Sequence, residues 1–146
     1  MPMIDIYAAA GTFADVPRLA QAAAETVMRV EQVPDIPMFR RNTAAFVHEL
    51  PAAAMSDVNG DGGFVRVQVL TNHGALDRAK QLAVVEQLTA LVAEAAGDPA
   101  QRERTWVLLT EAPDGGWGLH GVAHTNEELV LAARAEIAAL QANAGS

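Results

Sequence analysis

The feature that most constrains this fold is an apolar pattern that occurs twice along the chain. Each half contains a short alternating stretch, a longer stretch with helical spacing, and a second short alternating stretch. The two halves also carry matching residues where their strands end. Gly11 and Gly74 lie 63 residues apart, and Glu49 and Glu111, each opening an E-x-P motif, lie 62 residues apart. These nearly equal offsets indicate one structural unit of about sixty residues used twice.

The first half predicts a strand, a helix and a second strand. MIDIYAAAG alternates as a strand does, and RLAQAAAETVMRV carries apolar residues at helical spacing. Asp15 is a suitable N-cap for this helix, and Pro17 fits its first turn. VPDIP then breaks the helix, and TAAFVHEL is predicted as the second strand.

The second half repeats this order. FVRVQVLTNHG is predicted as a strand, the Ala- and Leu-rich stretch between Asp77 and Gly97 as a helix, and TWVLLTEAP as a strand. Thr125, with Glu128 three residues later, forms a capping box that opens a last helix over about 126–141. The two repeat units are placed at about 2–58 and 64–124.

These elements predict one α+β domain over residues 1–146, made of two fused β-α-β units. A strand–helix–strand unit forms a parallel, right-handed crossover. Two such units side by side give a four-stranded sheet with two helices on one face, and the C-terminal helix is added to this body. The stretches MIDIYAAA and TAAFVHEL carry few charges for a solvated sheet face, so the other face is expected to pack against further subunits.

Composition narrows the class of protein. The chain has 146 residues, no Cys and a net charge of −8, so it has neither disulfides nor thiolate metal ligands and offers no basic footprint for nucleic acid. No apolar stretch approaches the ~20 residues of a membrane span, and the N-terminus lacks a signal-peptide pattern. We therefore expect a cytoplasmic protein that binds neither nucleic acid nor membrane.

Two short motifs resemble metal sites without satisfying their requirements. DVNGDGGFVRVQ imitates a calcium loop, but its twelfth position is Gln68 within a predicted strand, and the flanking helices are missing. His120 and His124 have a ligand spacing only on a helix, whereas GLHGVAH is broken by Gly. The sequence therefore predicts a linker and a loop, and no metal site.

The candidate catalytic residue is Pro2, directly after the initiator Met1. If Met1 is removed, Pro2 carries a free secondary amine at the start of a buried strand. An exposed α-amine has a pKa of about 7.7–8.0, and an apolar site lowers that pKa because burial disfavours the charged form. A neutral amine held in a fixed position is a general base, although a Pro at a strand start is also tolerated for structural reasons alone.

Pro2 at the opening of β-α-β units of this length, together with TEAPDGGWGLHG, resembles the tautomerase superfamily of 4-oxalocrotonate tautomerase. The E-x-P-x-x-x-W-G-[IL]-x-G pattern carries the resemblance in the second half. The whole chain is similar to two fused copies, as in malonate semialdehyde decarboxylases and cis-3-chloroacrylic acid dehalogenases. This resemblance implies a homotrimer of fused chains, an amino-terminal proline that acts as base or acid, and no cofactor.

The chain departs from that family where substrate anions are bound. Thr12 and Ala75 stand where single-unit members carry an Arg after the strand-ending Gly, and Asn72 and His73 lie where the decarboxylases and dehalogenases place arginines. Leu119 matches the pocket carboxylate with which the dehalogenases activate water. The decarboxylases carry an Asp a few residues past their Val-Pro, but here VPDIPMF has Asp immediately after Val-Pro. Hydration and decarboxylation are therefore less supported than tautomerisation.

The remaining candidates would surround the Pro2 amine. Trp117 occupies the position of the aromatic residue that walls the family's proline, and Trp106 is a second aromatic at a family position, or a core residue. Arg40 and Arg41 are candidate binding groups for an anionic substrate, or solvated residues at a strand entry. Asn72 and His73 are candidate polar contacts, and His73 could donate a hydrogen bond to a developing oxyanion.

Three functions follow from this set. The leading one is a keto–enol tautomerase acting on a small 2-oxo acid or related carbonyl compound, with Pro2 as general base and acid. The enzymatic alternative is a decarboxylase or hydrolytic dehalogenase of a three-carbon acid. The non-enzymatic alternative is a trimeric binding or assembly protein in which Pro2 only begins a strand.

Overall fold

The described part of the chain contains a four-stranded sheet, a short hairpin and four α-helices. The computed structural model describes residues 1–145. In chain order the elements are β1 (Met3–Ala9), α1 (Val16–Glu31), α2 (Pro37–Arg41), β2 (Ala44–Leu50), β3 (Val65–Thr71), α3 (Arg78–Ala96), β4 (Thr105–Glu111), β5 (Trp117–Leu119), β6 (Val122–His124) and α4 (Asn126–Ala144). Two 3-10 turns lie at Ala52–Ala54 and Pro99–Arg104.

The sheet has the strand order β2-β1-β3-β4. β1 pairs with β2 in parallel, and β3 pairs with β4 in parallel, so each half is one β-α-β unit. The units are joined by an antiparallel pairing of β1 with β3. This arrangement confirms the predicted α+β fold of two fused units, and it makes the strands of the two halves run in opposite directions.

The predicted helix ends are confirmed in detail. The Asp15 carboxylate accepts a hydrogen bond from the Arg18 main-chain N–H at 3.1 Å, and Asp77 accepts one from Lys80 at 2.9 Å, which caps α1 and α3. Gly97 ends α3 with a φ of 64°, a left-handed conformation that favours glycine. α4 begins after Thr125 as predicted but continues to Ala144, three residues beyond the expected end.

Two elements were not predicted. Residues of the VPDIP segment end α1, but Pro37 also begins the five-residue helix α2, because a Pro is tolerated in a first helical turn. The Gly-rich segment after β4 forms the β5–β6 hairpin. A side chain at Gly116 would place its Cβ 2.9 Å from the Pro113 carbonyl oxygen, so the tight turn before β5 requires glycine.

The core lies between α1, α3 and one face of the sheet. Both units contribute to it in the same way, with alternate residues of their first strand and one stripe of their helix. The fully buried members are Ile4, Ile6, Ala8, Leu19, Ala23 and Val27 from the first unit, and Val65, Val67, Val69, Val84, Leu88 and Val92 from the second. Burial of these apolar side chains stabilises the fold.

The opposite face of the sheet is open in the single chain. Its centre is polar: the Asp5 carboxylate lies 2.7 Å from the His48 imidazole, which stacks on Tyr7 at 4.3 Å between ring centroids. Phe46 and Leu108 are exposed large apolar side chains on the flanking strands. The face is thus more polar than the sequence indicated, while its edges remain apolar.

Residues 1–145 contain neither a candidate membrane span nor a candidate metal cluster. No helix in this range is long and apolar enough to cross a bilayer. The same residues hold no group of three or more His, Asp or Glu side chains that could bind a metal ion. In the calcium-like loop, Asp57 accepts hydrogen bonds at 2.9 Å from the main-chain N–H groups of Asn59 and Asp61, so this carboxylate shapes the linker.

Candidate active site

The chain begins in a buried apolar cluster at the end of the sheet where β1 starts. Met1 is only 1% exposed, and Pro2 is buried beside it. The Pro2 carbonyl oxygen accepts a hydrogen bond from the Ala44 N–H at 3.2 Å, which extends the β1–β2 ladder by one residue. Pro2 is therefore held at a fixed position, and its missing N–H breaks no ladder bond.

We call the space that the Met1 side chain fills the N-terminal chamber. Its apolar walls come from elements that are distant in sequence: α2, the β5–β6 hairpin and α4. Trp117 and Leu129 form the buried part of these walls together with Met1, and the partly buried side chains packed around them are Met3, Met38, Phe39, Leu70, Ala112 and Leu119.

The two unpredicted elements close the chamber. α2 directs Met38 and Phe39 inward, and the Met38 main-chain N–H donates to the Glu136 carboxylate of α4 at 3.0 Å. The hairpin places Trp117 over the N-terminus directly after the glycine turn. The chamber thus depends on contacts among segments between residues 37 and 136.

The polar end of the chamber consists of one carboxylate and one amide. The Met1 α-amine donates to Glu31 Oε1 at 3.2 Å and to Asn72 Oδ1 at 3.4 Å. Glu31 is the last residue of α1, and Asn72 directly follows β3. Burial holds the pKa of the Met1 amine below its usual value, although the adjacent Glu31 carboxylate partly opposes this by favouring the charged form.

The geometry around Pro2 follows from covalent structure. Three bonds separate the Pro2 nitrogen from the Met1 nitrogen, a span of at most about 3.6 Å. Glu31 Oε1 therefore lies within about 7 Å of the Pro2 nitrogen. A chain without Met1 would present the Pro2 amine to the space that Met1 fills, with the carboxylate and the amide across that space.

Three of the predicted site residues meet at this chamber: Pro2, Asn72 and Trp117. His73 is adjacent in sequence but points elsewhere. Its exposed side chain lies 3.2 Å from the Glu111 carboxylate through Nδ1, and its main-chain oxygen accepts from the Asn126 amide at 2.6 Å. The structure places His73 outside the chamber in the single chain.

The other three predicted residues are not brought to Pro2. Arg40 and Arg41 are exposed on α2, and Arg40 pairs with Asp35 at 2.9 Å. Arg40 lines a groove of about 610 Å³ beside α1 and β2. Trp106 is 45% exposed near the start of β4 and contacts Phe64, with 5.0 Å between ring centroids. Because Trp106 aligns with Tyr7 through Arg66, it lies several residues along the sheet from the start of β1.

Sequence analysis missed Glu31, Met38, Phe39 and Leu129. Glu31 had a detectable signal: it places a negative charge at the C-terminal end of α1, where the helix dipole favours cations. Met38 and Phe39 follow the Pro37 start signal of α2, whereas the position of Leu129 depends on how α4 docks.

Comparison with known proteins agrees with this fold. Residues 64–126 match the protein family described as Tautomerase enzyme. The structure titled F6 fused 4-OT wild type asymmetric trimer superposes with a TM-score of 0.68 over 87% of this chain and 98% of its own, at 19% identity. The second half of the chain thus matches the tautomerase family, and the whole chain shares the fold of a fused 4-OT structure.

Two further solved structures share the fold at similarly low identity. N1, a member of the cis-3-chloroacrylic acid dehalogenase family, has a TM-score of 0.64 over 88% of this chain and 89% of its own, at 21% identity. A macrophage migration inhibitory factor-like protein from Entamoeba histolytica has a TM-score of 0.63 over 85% and 96%, at 16% identity. No curated protein sequence matches the chain. At these identities, the similarities show a shared fold and do not show a shared reaction.

Proposed function

We propose that this chain is a member of the tautomerase superfamily and acts as a cofactor-independent keto–enol tautomerase of small carbonyl compounds, including 2-oxo acids, with Pro2 as its general base and acid. The reaction requires removal of Met1, which converts Pro2 from an amide into a secondary amine. The single observation that carries the proposal is the burial of the chain start against Trp117, Leu129 and Phe39, with two polar side chains at one end.

The chamber provides what such a base needs. A proton shuttle works best when its pKa lies near the working pH, and an exposed α-amine is more basic than that. Burial already lowers the pKa of the Met1 amine, and Pro2 is also buried. A neutral Pro2 amine would remove a proton from the carbon next to a carbonyl, and the resulting ammonium would return that proton to the oxygen or to another carbon.

A substrate screen tests this function after the N-terminus has been checked. Intact mass must show loss of Met1, because a retained Met1 blocks the amine and would contradict the proposal. Phenylenolpyruvate and 2-hydroxymuconate are then assayed with the wild-type protein and with Pro2→Ala, which keeps a primary amine in place. We expect the variant to lose about 10²–10⁴-fold in rate. Equal rates in the two proteins would remove Pro2 from the mechanism.

The alternative reactions use the same amine and are separated by the same screen. Similarity to the dehalogenase-family member N1 motivates halogenated acrylates as test substrates. The hairpin position that matched the dehalogenase carboxylate is the apolar Leu119, which lies against the chamber. Turnover of a halogenated acrylate without tautomerase activity would favour the hydrolytic alternative, and inactivity of processed protein on every compound would favour the non-catalytic one.

We propose that three copies of this chain associate through their open sheet faces. Phe46, Trp106 and Leu108 are exposed on this face, and closing three such faces around one axis would bury them. Related structures are titled as trimers of fused 4-OT. The proposal extends that assembly to this chain.

The assembly is tested by sedimentation of Leu108→Asp. A charge on the buried face of a trimer should yield monomers at micromolar concentration, whereas Val58→Asp should leave the trimer intact, because Val58 is 103% exposed in the linker. If the wild-type protein sediments as a monomer, the trimer proposal is wrong, and the proposal for Pro2 is unaffected.

A further inference from the structure

Glu31 and Asn72 each leave one buried atom without a hydrogen-bond partner among the described residues. The Glu31 carboxylate uses Oε1 on the Met1 amine, and its Oε2 is unpaired; the Asn72 amide uses Oδ1, and its Nδ2 is unpaired. Buried polar groups in folded proteins are almost always paired. Each of the two side chains that contact the Met1 amine therefore carries a buried atom whose lack of a partner needs an explanation.

The Glu31 carboxylate is unfavourable for folding in its present place. Glu31 is only 8% exposed and sits at the C-terminal end of α1, where the helix dipole disfavours a negative charge. The Met1 amine contacts the Glu31 carboxylate, while the Lys80 ammonium binds the Glu31 main-chain oxygen at 2.9 Å. Removal of Met1 takes away the amine that the carboxylate contacts, and leaving one partner of a buried ion pair alone is costly.

The vacated space would suit an uncharged oxygen. The atoms that face the Met1 amine, Glu31 Oε1 and Asn72 Oδ1, are both acceptors. Because Asn72 Nδ2 has no partner among the described residues, a half-turn of the amide costs no other bond of that group and brings its N–H to the vacated space. The Glu31 oxygen and the Asn72 N–H then match a hydroxyl group, which donates one hydrogen bond and accepts another. A ketone oxygen would take the Asn72 bond, and its enol would use both. A substrate carboxylate would instead lie close to a buried negative charge, and no Arg is among the described residues that line the chamber to offset it.

Resting on the proposed function for the reaction itself, we propose that Glu31 and Asn72 make the N-terminal chamber selective for uncharged enols and ketones. Glu31 accepts a hydrogen bond from the enol hydroxyl, Asn72 donates one to the same oxygen, and Glu31 repels substrates that carry a carboxylate. This narrows the substrate class toward aldehydes, ketones and esters, and it makes both residues determinants of specificity.

Binding of an unreactive pair of ligands tests this selectivity without requiring turnover. Methyl 4-hydroxybenzoate and 4-hydroxybenzoate share a ring and a hydroxyl, and they differ by one negative charge. Titration calorimetry on protein lacking Met1 should show tighter binding of the ester. In Glu31→Gln the ester-to-acid affinity ratio should fall by about tenfold or more, because the charge is lost while the shape is kept. Asn72→Ala should weaken the binding of both ligands.

The matched control is Glu25→Gln, which removes one exposed carboxylate from the same helix and should leave the ratio unchanged. Tighter binding of the acid by wild-type protein would overturn the proposal, even if no Glu31 variant folds. An unchanged ratio in folded Glu31→Gln would also overturn it.

Kinetics with phenylenolpyruvate and its methyl ester separates this inference from the proposed function. Both hold if the ester has the higher kcat/KM and Pro2→Ala lowers turnover by about 10²–10⁴-fold. If processed protein binds the neutral ligand selectively through Glu31 but turns over neither compound, the selectivity stands and the tautomerase function fails. Turnover that favours the acid in both wild type and Glu31→Gln supports the function and overturns the selectivity.

Discussion

The two β-α-β units follow nearly the same sequence pattern but differ at the start of their first strands. β1 and β3 start 62 residues apart, and so do the capping residues Asp15 and Asp77. At this offset Pro2 corresponds to Phe64, and Glu31 corresponds to Ala93. We call the end of each unit at which its first strand begins the entrance of that unit. The first unit therefore has a buried Pro and a carboxylate at its entrance, and the second unit has an aromatic ring and a methyl group there.

The entrance of the second unit is built for packing. Phe64 contacts Trp106, and the Arg104 guanidinium lies 5.6 Å from the Phe64 ring centroid. Asn72 has Ala10 as its counterpart at the same offset. A repeated unit that serves only the fold can lose its polar buried groups, because those groups cost stability when unpaired. Their presence at the first entrance and not at the second supports the proposal that the first entrance is the active site.

The largest expected effect comes from giving the second unit the carboxylate of the first. Ala93 is buried at the end of α3, so Ala93→Glu should lower the free energy of unfolding by about 1–3 kcal/mol. Ala90→Glu adds the same side chain at an exposed position of that helix and should change stability by less than about 0.5 kcal/mol. Urea unfolding at one fixed protein concentration measures both. Equal stability of the two variants would mean that the second unit tolerates a buried carboxylate at residue 93 as well as the first unit tolerates Glu31.

The next effect concerns the wall of the first entrance. Trp117→Ala should raise the pKa of the Pro2 amine in protein lacking Met1, because water readmitted to the chamber stabilises the ammonium. The base is active when neutral, so the midpoint of the rise of kcat/KM with pH should move upward. Trp117→Phe keeps an apolar wall and should stay near wild type. NMR titration of the amine checks the assignment, and an unmoved midpoint in Trp117→Ala would exclude desolvation by this residue.

Glu31→Gln should move the same pKa in the opposite direction. The carboxylate favours the ammonium form, as it does at the Met1 amine, so its removal leaves desolvation less opposed and lowers the pKa of Pro2. The kcat/KM profile should then rise at lower pH than in wild type. Glu25→Gln is the control for a general change in charge. An upward shift in Glu31→Gln would mean that the carboxylate does not face the amine.

Local sequence patterns predicted the long helices and strands well. Caps, glycine stops and apolar spacing are properties of short segments, and they placed α1, α3, α4 and the four long strands correctly. The chamber was harder to predict, because its walls come from a five-residue helix and a hairpin with three-residue strands. Such short elements carry too few residues for a periodicity to be recognised. The burial of Glu31 depends on contacts with Met1 and Asn72, which no local pattern encodes.

The smallest expected effect tests the arginines for which sequence analysis proposed a role with anionic substrates. Arg40 pairs with Asp35 on the exposed side of α2, while Met38 and Phe39 take the side that faces the chamber. A substrate beside Pro2 would thus meet the apolar side of α2. Replacing both Arg40 and Arg41 by Ala should therefore change KM for phenylenolpyruvate by less than about twofold, well below the roughly tenfold or greater loss expected when a charge-assisted hydrogen bond is removed. The same double variant should not alter KM for the methyl ester. A tenfold rise in KM for the acid alone would instead show that an arginine of α2 reaches the substrate in the assembled protein, and the first entrance would then bind anions from the side that the single chain leaves exposed.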